Sequence, residues 1–328
     1  MYERFYGFRE PPFNVTPDPR FLYLTERHRE ALAQLLYGIQ AKKGFIVLTG
    51  EAGTGKTTLL HTLRERLDER TAVAFVFNST LGFDDLLEYV LADLGVPGGG
   101  TTPAQRLMAL NIFLTDRRRA GLNTVIIFDE AQNLTRATLE QVRLLSNFET
   151  ATEKLLQIVL VGQPELAAQL DLPELRQLKQ RIALRCRIAP LTPTEVAEYV
   201  AARIRIAGGR NPALFSPAAI QRIAAYSGGI PRLVNTLCDH CLTFGMAERR
   251  RRIEASMVPQ AIRALEDGLA TEPLPPAGAR RMGWLSWRHS VLAGALAAVA
   301  VATTLFARDP VVHAVADLAR SVRTLVLP

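Results

Sequence analysis

Residues 50–57 read Gly50-Glu51-Ala52-Gly53-Thr54-Gly55-Lys56-Thr57, which is a complete phosphate-binding loop of the form GxxxxGK[ST]. An apolar run at residues 45–48 leads into the loop, and a helical pattern at residues 57–66 follows it. Backbone N–H groups of such a turn, and of the helix that it opens, can surround a phosphate chain. The alternative is a chance match in a glycine-rich turn, which does not account for both flanks. The sequence therefore predicts that the chain binds a nucleotide.

The loop residues are expected to divide the contacts to that nucleotide. The ammonium group of Lys56 is expected to reach the β- and γ-phosphates, and the hydroxyl of Thr57 is expected to ligate Mg²⁺. ATP with Mg²⁺ is therefore the expected ligand. The residues predicted to contact it in this loop are Gly50, Glu51, Ala52, Gly53, Thr54, Gly55, Lys56, Thr57 and Thr58.

A second motif predicts that the chain also hydrolyses the nucleotide that it binds. Residues 124–128 form an apolar run that Asp129 and Glu130 follow directly, which indicates a strand buried on both faces of a parallel sheet. Asp129 would end that strand beside the loop and hold Mg²⁺ through its water shell, while Glu130 would act as general base on the attacking water. The alternative is that Glu130 only starts the next helix, where an acidic residue suits the helix dipole.

Length and charge limit the class of protein without naming a partner. The chain has 328 residues, which leaves room for about two domains. Its net charge of +7 comes from 39 Lys and Arg against 32 Asp and Glu, with arginine runs at 117–119 and 249–252. Such runs are usually solvated helix ends, and binding to anionic lipid or nucleic acid is the minority interpretation.

Three cysteines argue against a disulfide scaffold. Cys238 and Cys241 have the spacing of half a zinc site, but the sequence has no second pair to complete it. On a helix these two positions share a face, so packed core thiols are the preferred interpretation. A reduced, cytosolic location for this part of the chain is consistent with that.

Patterns along the chain predict its domain organisation. Residues 1–190 alternate apolar strands with helical patterns, which predicts a parallel sheet flanked by helices. Residues 191–270 lack strand patterns and predict a small helical domain, with Thr192 as cap and Pro193 at the first helical position. Residues 271–286 are rich in proline and predict a linker. The segments predicted within the first stretch are 72–78, 83–94, 103–119, 124–130, 135–149 and 155–162.

A membrane signal lies near the C-terminal end of the sequence, whereas the N-terminal end has no secretory signal. Residues 290–307 contain no charge in 18 positions, and Trp284 and Trp287 precede them as an interfacial aromatic belt would. Residues 287–307 are therefore predicted to be a transmembrane helix, the alternative being a buried alanine-rich helix. Arginines concentrate before the run, which predicts a cytoplasmic N-terminal part and an extracytoplasmic tail at 308–328.

The motifs together resemble a known family. A P-loop sheet followed by a helical lid is the architecture of AAA+ ATPases, and the sequence motifs are similar to those of general secretion pathway protein A. Related ATPases of exopolysaccharide and protein-sorting systems share most of these motifs. The segments that carry the resemblance are 5–8, 12–13, 16–23, 27–32, 128–134, 160–166 and 228–235.

This resemblance implies roles for residues outside the two motifs. Gln163 matches a polar sensor of the γ-phosphate, although it is also placed to cap a helix. Arg232 matches the lid arginine that contacts γ-phosphate oxygens. Arg181, or else Arg176, falls where the family carries an arginine finger that acts on a neighbouring subunit; a surface charge is the alternative for both. Asn78 is a candidate for holding Glu130 unproductive until a partner binds.

The resemblance implies a single-pass ATPase of the bacterial inner membrane that forms a ring and drives or regulates assembly of an envelope secretion or export complex. Members of the family carry a peptidoglycan-binding domain after the span, whereas the 308–328 stretch is too short to fold as a domain, so wall contact would fall to a periplasmic partner. The alternatives are a DNA-linked ATPase of the transposition-helper type and a nucleotide-dependent scaffold with little turnover. The predicted span weighs against nucleic acid as a partner.

Overall fold

Parallel strands form the centre of the fold. The computed structural model describes residues 1–14, 18–21, 23–77, 81–96, 100, 102–151, 153–211 and 213–269. Its strands are β1 (Phe45–Gly50), β2 (Thr71–Val76), β3 (Asn123–Phe128), β4 (Gln157–Gly162) and β5 (Ile182–Ile188). Within the described residues these strands make one five-stranded sheet in the order β2-β3-β4-β1-β5. All four pairings are parallel, as the alternation of strands and helices predicted.

Helices connect and cover these strands. In chain order they are α1 (Tyr2–Tyr6), α2 (Glu26–Gln40), α3 (Lys56–Arg66), α4 (Phe83–Asp93), α5 (Pro103–Arg119), α6 (Arg136–Leu145), α7 (Pro164–Leu170), α8 (Arg176–Arg181), α9 (Pro193–Ile206), α10 (Pro217–Ser227), α11 (Pro231–Ala247) and α12 (Val258–Leu269). A short 3-10 turn at Ala131–Asn133 follows β3. Residues 1–267 cluster into one compact unit.

The sheet is buried on both faces, which is why its inner strands read as continuous apolar runs. Successive residues of β3 point to opposite faces: Ile126 packs in the core under α4–α8, and Ile127 packs in the core under α2 and α3. Both side chains are fully buried. Because the carboxyl ends of parallel strands meet at one edge, this arrangement brings Gly50, at the end of β1, to the same edge as Phe128, at the end of β3.

Helices α9–α12 form a bundle with a core of its own. The bundle opens as the sequence predicts: Thr192 caps α9, and Pro193 is its first residue. The cap is reciprocal, since the Thr192 side chain accepts from the Glu195 N–H and the Glu195 carboxylate accepts from the Thr192 N–H. Cys238 and Cys241 are both buried among these helices.

The N-terminal segment (residues 1–14 and 18–21) packs against this bundle. Its aromatic residues Tyr2, Phe8, Phe13 and Phe21 belong to the core of the bundle and not to either core of the sheet. The sequence grouped residues 1–190 with the sheet because chain order was the only guide. Aromatic side chains at this spacing are buried wherever an apolar surface is available, and here that surface comes from helices far along the chain.

One strand, β5, has no counterpart among the predicted segments. It lies at an edge of the sheet, where only β1 pairs with it within the described residues. Cys186 and Ile188 are buried, while Arg185 and Arg187, which alternate with them, are exposed. An edge strand therefore alternates instead of reading as an apolar run, and a prediction based on apolar runs missed it.

No helix among the described residues is both long enough and apolar enough to cross a membrane. The predicted transmembrane helix at 287–307 lies outside those residues. So do the predicted linker at 271–286 and the predicted tail at 308–328.

Candidate nucleotide-binding site

The phosphate-binding loop lies between the end of β1 and the start of α3. Gly53 and Gly55 have φ angles of 81° and 96°, a region that glycine adopts without strain. A Cβ atom on Gly53 would also lie 2.8 Å from the Cβ atom of Arg232, because the start of α11 packs against the loop. The Arg232 N–H donates to the Gly53 carbonyl at 3.3 Å. The bundle thus touches the loop directly.

The side chain of Lys56 is folded into this loop. It is 5% exposed, and its Nζ donates to the carbonyls of Gly50 at 2.8 Å and Glu51 at 3.1 Å. Burial lowers the pKa of Lys56, and the nearby carboxylates of Glu130 and Asp129 oppose this effect. An ammonium group at this position can exchange its loop carbonyls for phosphate oxygens.

Thr57 and Asp129 bring two oxygen ligands together. The Thr57 hydroxyl donates to Oδ2 of Asp129 at 3.0 Å, and Asp129 is buried directly after β3. A hydroxyl and one carboxylate fit Mg²⁺, which is commonly held by one or two carboxylates together with substrate phosphates and water. Among the described residues no cluster of three or more His, Cys, Asp or Glu residues could hold a metal ion.

Glu130 has an unusual backbone and a firmly held carboxylate. Its φ angle is 51°, in the left-handed region that non-glycine residues rarely adopt. Its Oε2 accepts from Nε2 of Gln132 at 2.6 Å and from Nε2 of Gln163 at 3.3 Å. Burial raises the pKa of Glu130, but these hydrogen bonds and the charges of Lys56 and Arg232 outweigh it, so its pKa lies below the usual value. The carboxylate is therefore ionised at neutral pH.

Lys56, Thr57 and Glu130 line a cavity of about 340 Å³. One wall consists of the phosphate loop and the residues after β3 and β4, and is called the sheet wall. The other consists of residues from the N-terminal segment and the bundle, and is called the helical wall. Residues on the helical wall include Asn14, Phe21, Leu191, Tyr199, Arg203 and Asn235. The phosphate-binding loop residues Ala52 to Thr58, together with Glu130, Gln163 and Arg232, line the same cavity, so the structure brings most predicted site residues together.

Arg203 ties the helical wall to the N-terminal segment. It is 7% exposed and donates to the carbonyls of Pro12 at 2.6 Å and Asn14 at 3.1 Å. It also donates to the hydroxyl of Tyr199, which in turn donates to Asn235. Sequence reasoning missed this network, because a single arginine within an amphipathic helix carries no local signal of its partners.

His28 is hydrogen-bonded to the backbone of the phosphate loop. It is buried, its Nε2 donates to the Thr54 carbonyl at 3.2 Å, and its Nδ1 lies 2.7 Å from the hydroxyl of Thr25. A carbonyl only accepts, so the neutral ring carries its proton on Nε2. Burial lowers the pKa of His28, which keeps the ring neutral. The sequence pointed here only through the segment 27–32, to which no role was attached.

Arg181 and Arg176 lie away from the cavity formed by their own chain. Arg181 donates to Oδ1 of Asn147 at 2.6 Å and to Oγ of Ser146 at 2.5 Å, next to the end of α6. Arg176, at the start of α8, is exposed. Neither arginine is among the residues that line the cavity. Asn78, the candidate for restraining Glu130, lies outside the described residues.

The arginine runs make contacts within the chain. Arg117 donates to the carbonyls of Arg70 and Asn123, and Arg118 pairs with Glu153. Arg251 packs over the ring of Phe5, with its guanidinium carbon 4.2 Å from the ring centre. These contacts account for several charges of the two runs without a nucleic acid.

Comparisons with known proteins agree with this geometry. Residues 39–170 match the model of a family described as an AAA domain. General secretion pathway protein A of Aeromonas hydrophila is 44% identical over 254 residues, which cover 77% of this chain and 46% of that protein. The chain therefore spans about half the length of the curated relative that it matches.

Solved structures share the fold at low sequence identity. The ORC2 protein of Aeropyrum pernix, in its ADPNP–ADP complexes, is 17% identical with a TM-score of 0.56, covering 79% of this chain and 73% of that one. Cdc6p of Pyrobaculum aerophilum is 20% identical, also with a TM-score of 0.56, covering 78% and 74%. Likeness at this identity concerns the fold alone.

Sheet order, phosphate loop and the Asp129–Glu130 pair define a P-loop ATPase domain of the AAA class. Within that class, the chain is a relative of general secretion pathway protein A, which confirms the resemblance that its motifs predicted.

Proposed function

We propose that this chain is a membrane-anchored ATPase that hydrolyses ATP to drive or regulate assembly of an envelope secretion or export complex. One observation carries the catalytic part. Lys56, Thr57 and Glu130 line a single cavity, and the Thr57 hydroxyl is hydrogen-bonded to the Asp129 carboxylate. That set contains a phosphate ligand, a place for a divalent cation and a general base, which are the parts that phosphoryl transfer to water requires.

Each group then has a defined task. Lys56 binds the β- and γ-phosphates, while Glu130 takes the proton of the attacking water. Gln163 lies beside Glu130 and is placed to orient that water, and Arg232 is placed to bind γ-phosphate oxygens from the helical wall. Mg²⁺ bound at Thr57 and Asp129 would supply charge neutralisation for the phosphates. In this scheme the bundle acts as a lid that follows the state of the nucleotide.

Assembly and anchoring rest on the relative and on the sequence. The 44% identity to general secretion pathway protein A supports a role in an envelope secretion pathway. The charge-free run at 290–307 supports a single membrane span in the bacterial inner membrane, with the ATPase in the cytoplasm. A ring would let Arg176 or Arg181 of one copy reach the nucleotide of the next. Arg176 is the more available of the two, because Arg181 is held at the end of α6.

The ATPase proposal is tested by Lys56→Ala, with Lys43→Ala as the matched control. Lys43 is an exposed lysine before β1, so its loss removes the same charge away from the cavity. Binding of a fluorescent ATP analogue and phosphate release are measured on full-length protein. Lys56→Ala should abolish both at nucleotide concentrations that saturate the parent and the control. Equal ATP affinity in all three proteins would contradict the proposal.

Anchoring is tested by carbonate washing of membranes. The full chain should remain in the membrane pellet, and residues 1–268 expressed alone should be released as a soluble ATPase, since they contain the whole compact unit 1–267. Release of the full chain by carbonate would contradict anchoring and leave the ATPase proposal standing.

A further inference from the structure

Gln132 makes two hydrogen bonds that meet at the catalytic edge of the sheet. It lies in the 3-10 turn Ala131–Asn133, and its side chain is partly buried. Its Nε2 donates to Oε2 of Glu130 at 2.6 Å, and its Oε1 accepts from the backbone N–H of Gln163 at 3.1 Å. One amide thus connects the residues that follow β3 to those that follow β4.

The surroundings fix that amide in one orientation. A Cβ atom on Gly162, the last residue of β4, would lie 2.7 Å from Oε1 of Gln132, so the glycine leaves room for the amide. The Gln163 N–H can only donate, which assigns Oε1 to that contact and leaves Nε2 for Glu130. Gln132 can therefore reach Glu130 only as a donor.

The carboxylate that receives this bond stands on a strained backbone. A non-glycine residue in the left-handed region is strained and persists only where its surroundings hold it. The Glu130 φ of 51° meets that description, and Gln132 and Gln163 both donate to its carboxylate. Both bonds end on Oε2 of Glu130, and none of the described side chains donates to its Oε1. Oε1 is thus the oxygen left to accept a proton from water.

We propose that Gln132 is a positioning residue for ATP hydrolysis, one that holds the Glu130 carboxylate by Oε2 and turns Oε1 towards the attacking water. The inference rests on the proposed ATPase function and adds to it the residue that aims the general base. Gln132 is not itself a catalytic residue in this scheme. Its effect passes entirely through Glu130, which separates it from a role in nucleotide binding.

Two substitutions separate the two contacts of Gln132. Gln132→Glu is nearly isosteric and keeps an acceptor for the Gln163 N–H, but it replaces the donor to Glu130 with a second carboxylate. Gln132→Met keeps the length and removes both contacts. Gln221→Glu makes the same change of charge on the exposed face of α10 and serves as the control.

Full-length proteins are compared by turnover, by affinity for an ATP analogue and by melting temperature. Misplacing a catalytic group by about 1 Å can cost 100-fold. We therefore expect kcat to fall roughly 10- to 100-fold in both Gln132 variants, with ATP affinity within about twofold of the parent and of Gln221→Glu. A role in folding alone would lower the melting temperature and leave kcat of the folded protein unchanged.

A double-mutant cycle with Glu130→Gln supplies the decisive readout. Single-turnover rates with labelled ATP are measured for each single variant and for the pair. If Gln132 acts through Glu130, Gln132→Met should change the residual rate of Glu130→Gln less than twofold. If the two substitutions lower the single-turnover rate independently, so that their effects multiply in the double variant, the inference is overturned and the ATPase proposal stands. A parental kcat in both Gln132 variants would have the same consequence. Absence of turnover in the parent protein would overturn the proposed function and this inference together.

Discussion

The two walls of the cavity are built in different ways. The sheet wall consists of short polar segments that follow strands: the phosphate loop after β1, Asp129 and Glu130 after β3, and Gln163 after β4. The helical wall is assembled from the N-terminal segment and from helices about 190 residues later, joined by the buried side chain of Arg203. Apart from Arg232, the groups suited to chemistry lie on the sheet wall, and the polar groups of the helical wall hold that wall in shape.

This difference explains which wall responds to which kind of change. Replacing a polar side chain on the sheet wall should alter turnover more than stability, because these side chains lie in or next to the cavity. Replacing a polar side chain on the helical wall other than Arg232 should alter stability first, because those side chains make their hydrogen bonds within the protein.

A large effect should come from Asp129→Asn on the sheet wall. Loss of the carboxylate that faces Thr57 removes the charged ligand at the proposed Mg²⁺ site. Turnover should fall roughly 100- to 1,000-fold, the cost typical of removing one preorganised electrostatic group. Phosphate release across a Mg²⁺ titration measures it, with exposed Asp116→Asn as the control. A parental rate in Asp129→Asn would break the division between the walls.

Arg203→Ala tests the helical wall, and Arg205→Ala, an exposed position in the same helix, is the control variant. Removal of Arg203 leaves the buried carbonyl of Pro12 and the hydroxyl of Tyr199 without their donor. The free energy of unfolding should fall by about 2–3 kcal/mol, against less than about 0.5 kcal/mol for Arg205→Ala. Urea unfolding measures both. Equal stability of the two variants would mean that Arg203 does not hold this wall.

Gly53→Ala tests the contact between the two walls. Both Gly53 and Gly95 have positive φ, 81° and 69°, but a Cβ atom at Gly95 meets nothing within 4 Å. Each alanine should cost about 1–2 kcal/mol of stability from backbone strain. Only Gly53→Ala should also weaken ATP-analogue binding, because its Cβ pushes against Arg232. Unchanged affinity would show that the contact between loop and bundle does not matter for the nucleotide.

The smallest effect concerns pH and His28. Its pKa is lowered by burial, with the Thr54 carbonyl and the charge of Glu195 opposing, so the unfolded chain binds this proton more readily than the folded one. The stability that the neutral ring contributes is complete above the unfolded pKa of about 6.5 and is lost as pH falls towards the folded value. Between pH 7.5 and 5.5 the parent should lose more stability than His28→Gln. Urea unfolding at both pH values, with His61→Gln as control, tests this difference. Identical slopes in all three proteins would contradict it.

Sequence alone predicted the sheet wall well, because each of its residues is tied to a strand end by chain order. The loop, Asp129, Glu130 and Gln163 all lie at the predicted edge of the sheet. Gln132 was visible in the same motif, but its role depends on the neighbouring strand. Only the pairing of β3 with β4 brings its amide to the Gln163 N–H.

The helical wall and β5 were not predicted from the sequence, each for its own reason. Pro12 and Asn14 meet Arg203 across roughly 190 positions, and no local pattern reports such a contact. The bundle itself was predicted from the lack of strand patterns in residues 191–270 and from the cap at Thr192. Its pairing with the N-terminal segment depends on tertiary packing. The edge strand β5 alternates, and a prediction based on apolar runs did not detect it.

The role of Glu130 as general base can be tested by a paired measurement on Glu130→Gln: affinity for ATP and the rate of its hydrolysis, in the same full-length preparation. The substitution keeps the size of the side chain and removes its basicity, so ATP affinity should stay within about twofold of the parent while kcat falls roughly 100- to 10,000-fold. Parental turnover in this variant would mean that Glu130 is not the general base, and the account of the sheet wall as the catalytic wall would be wrong.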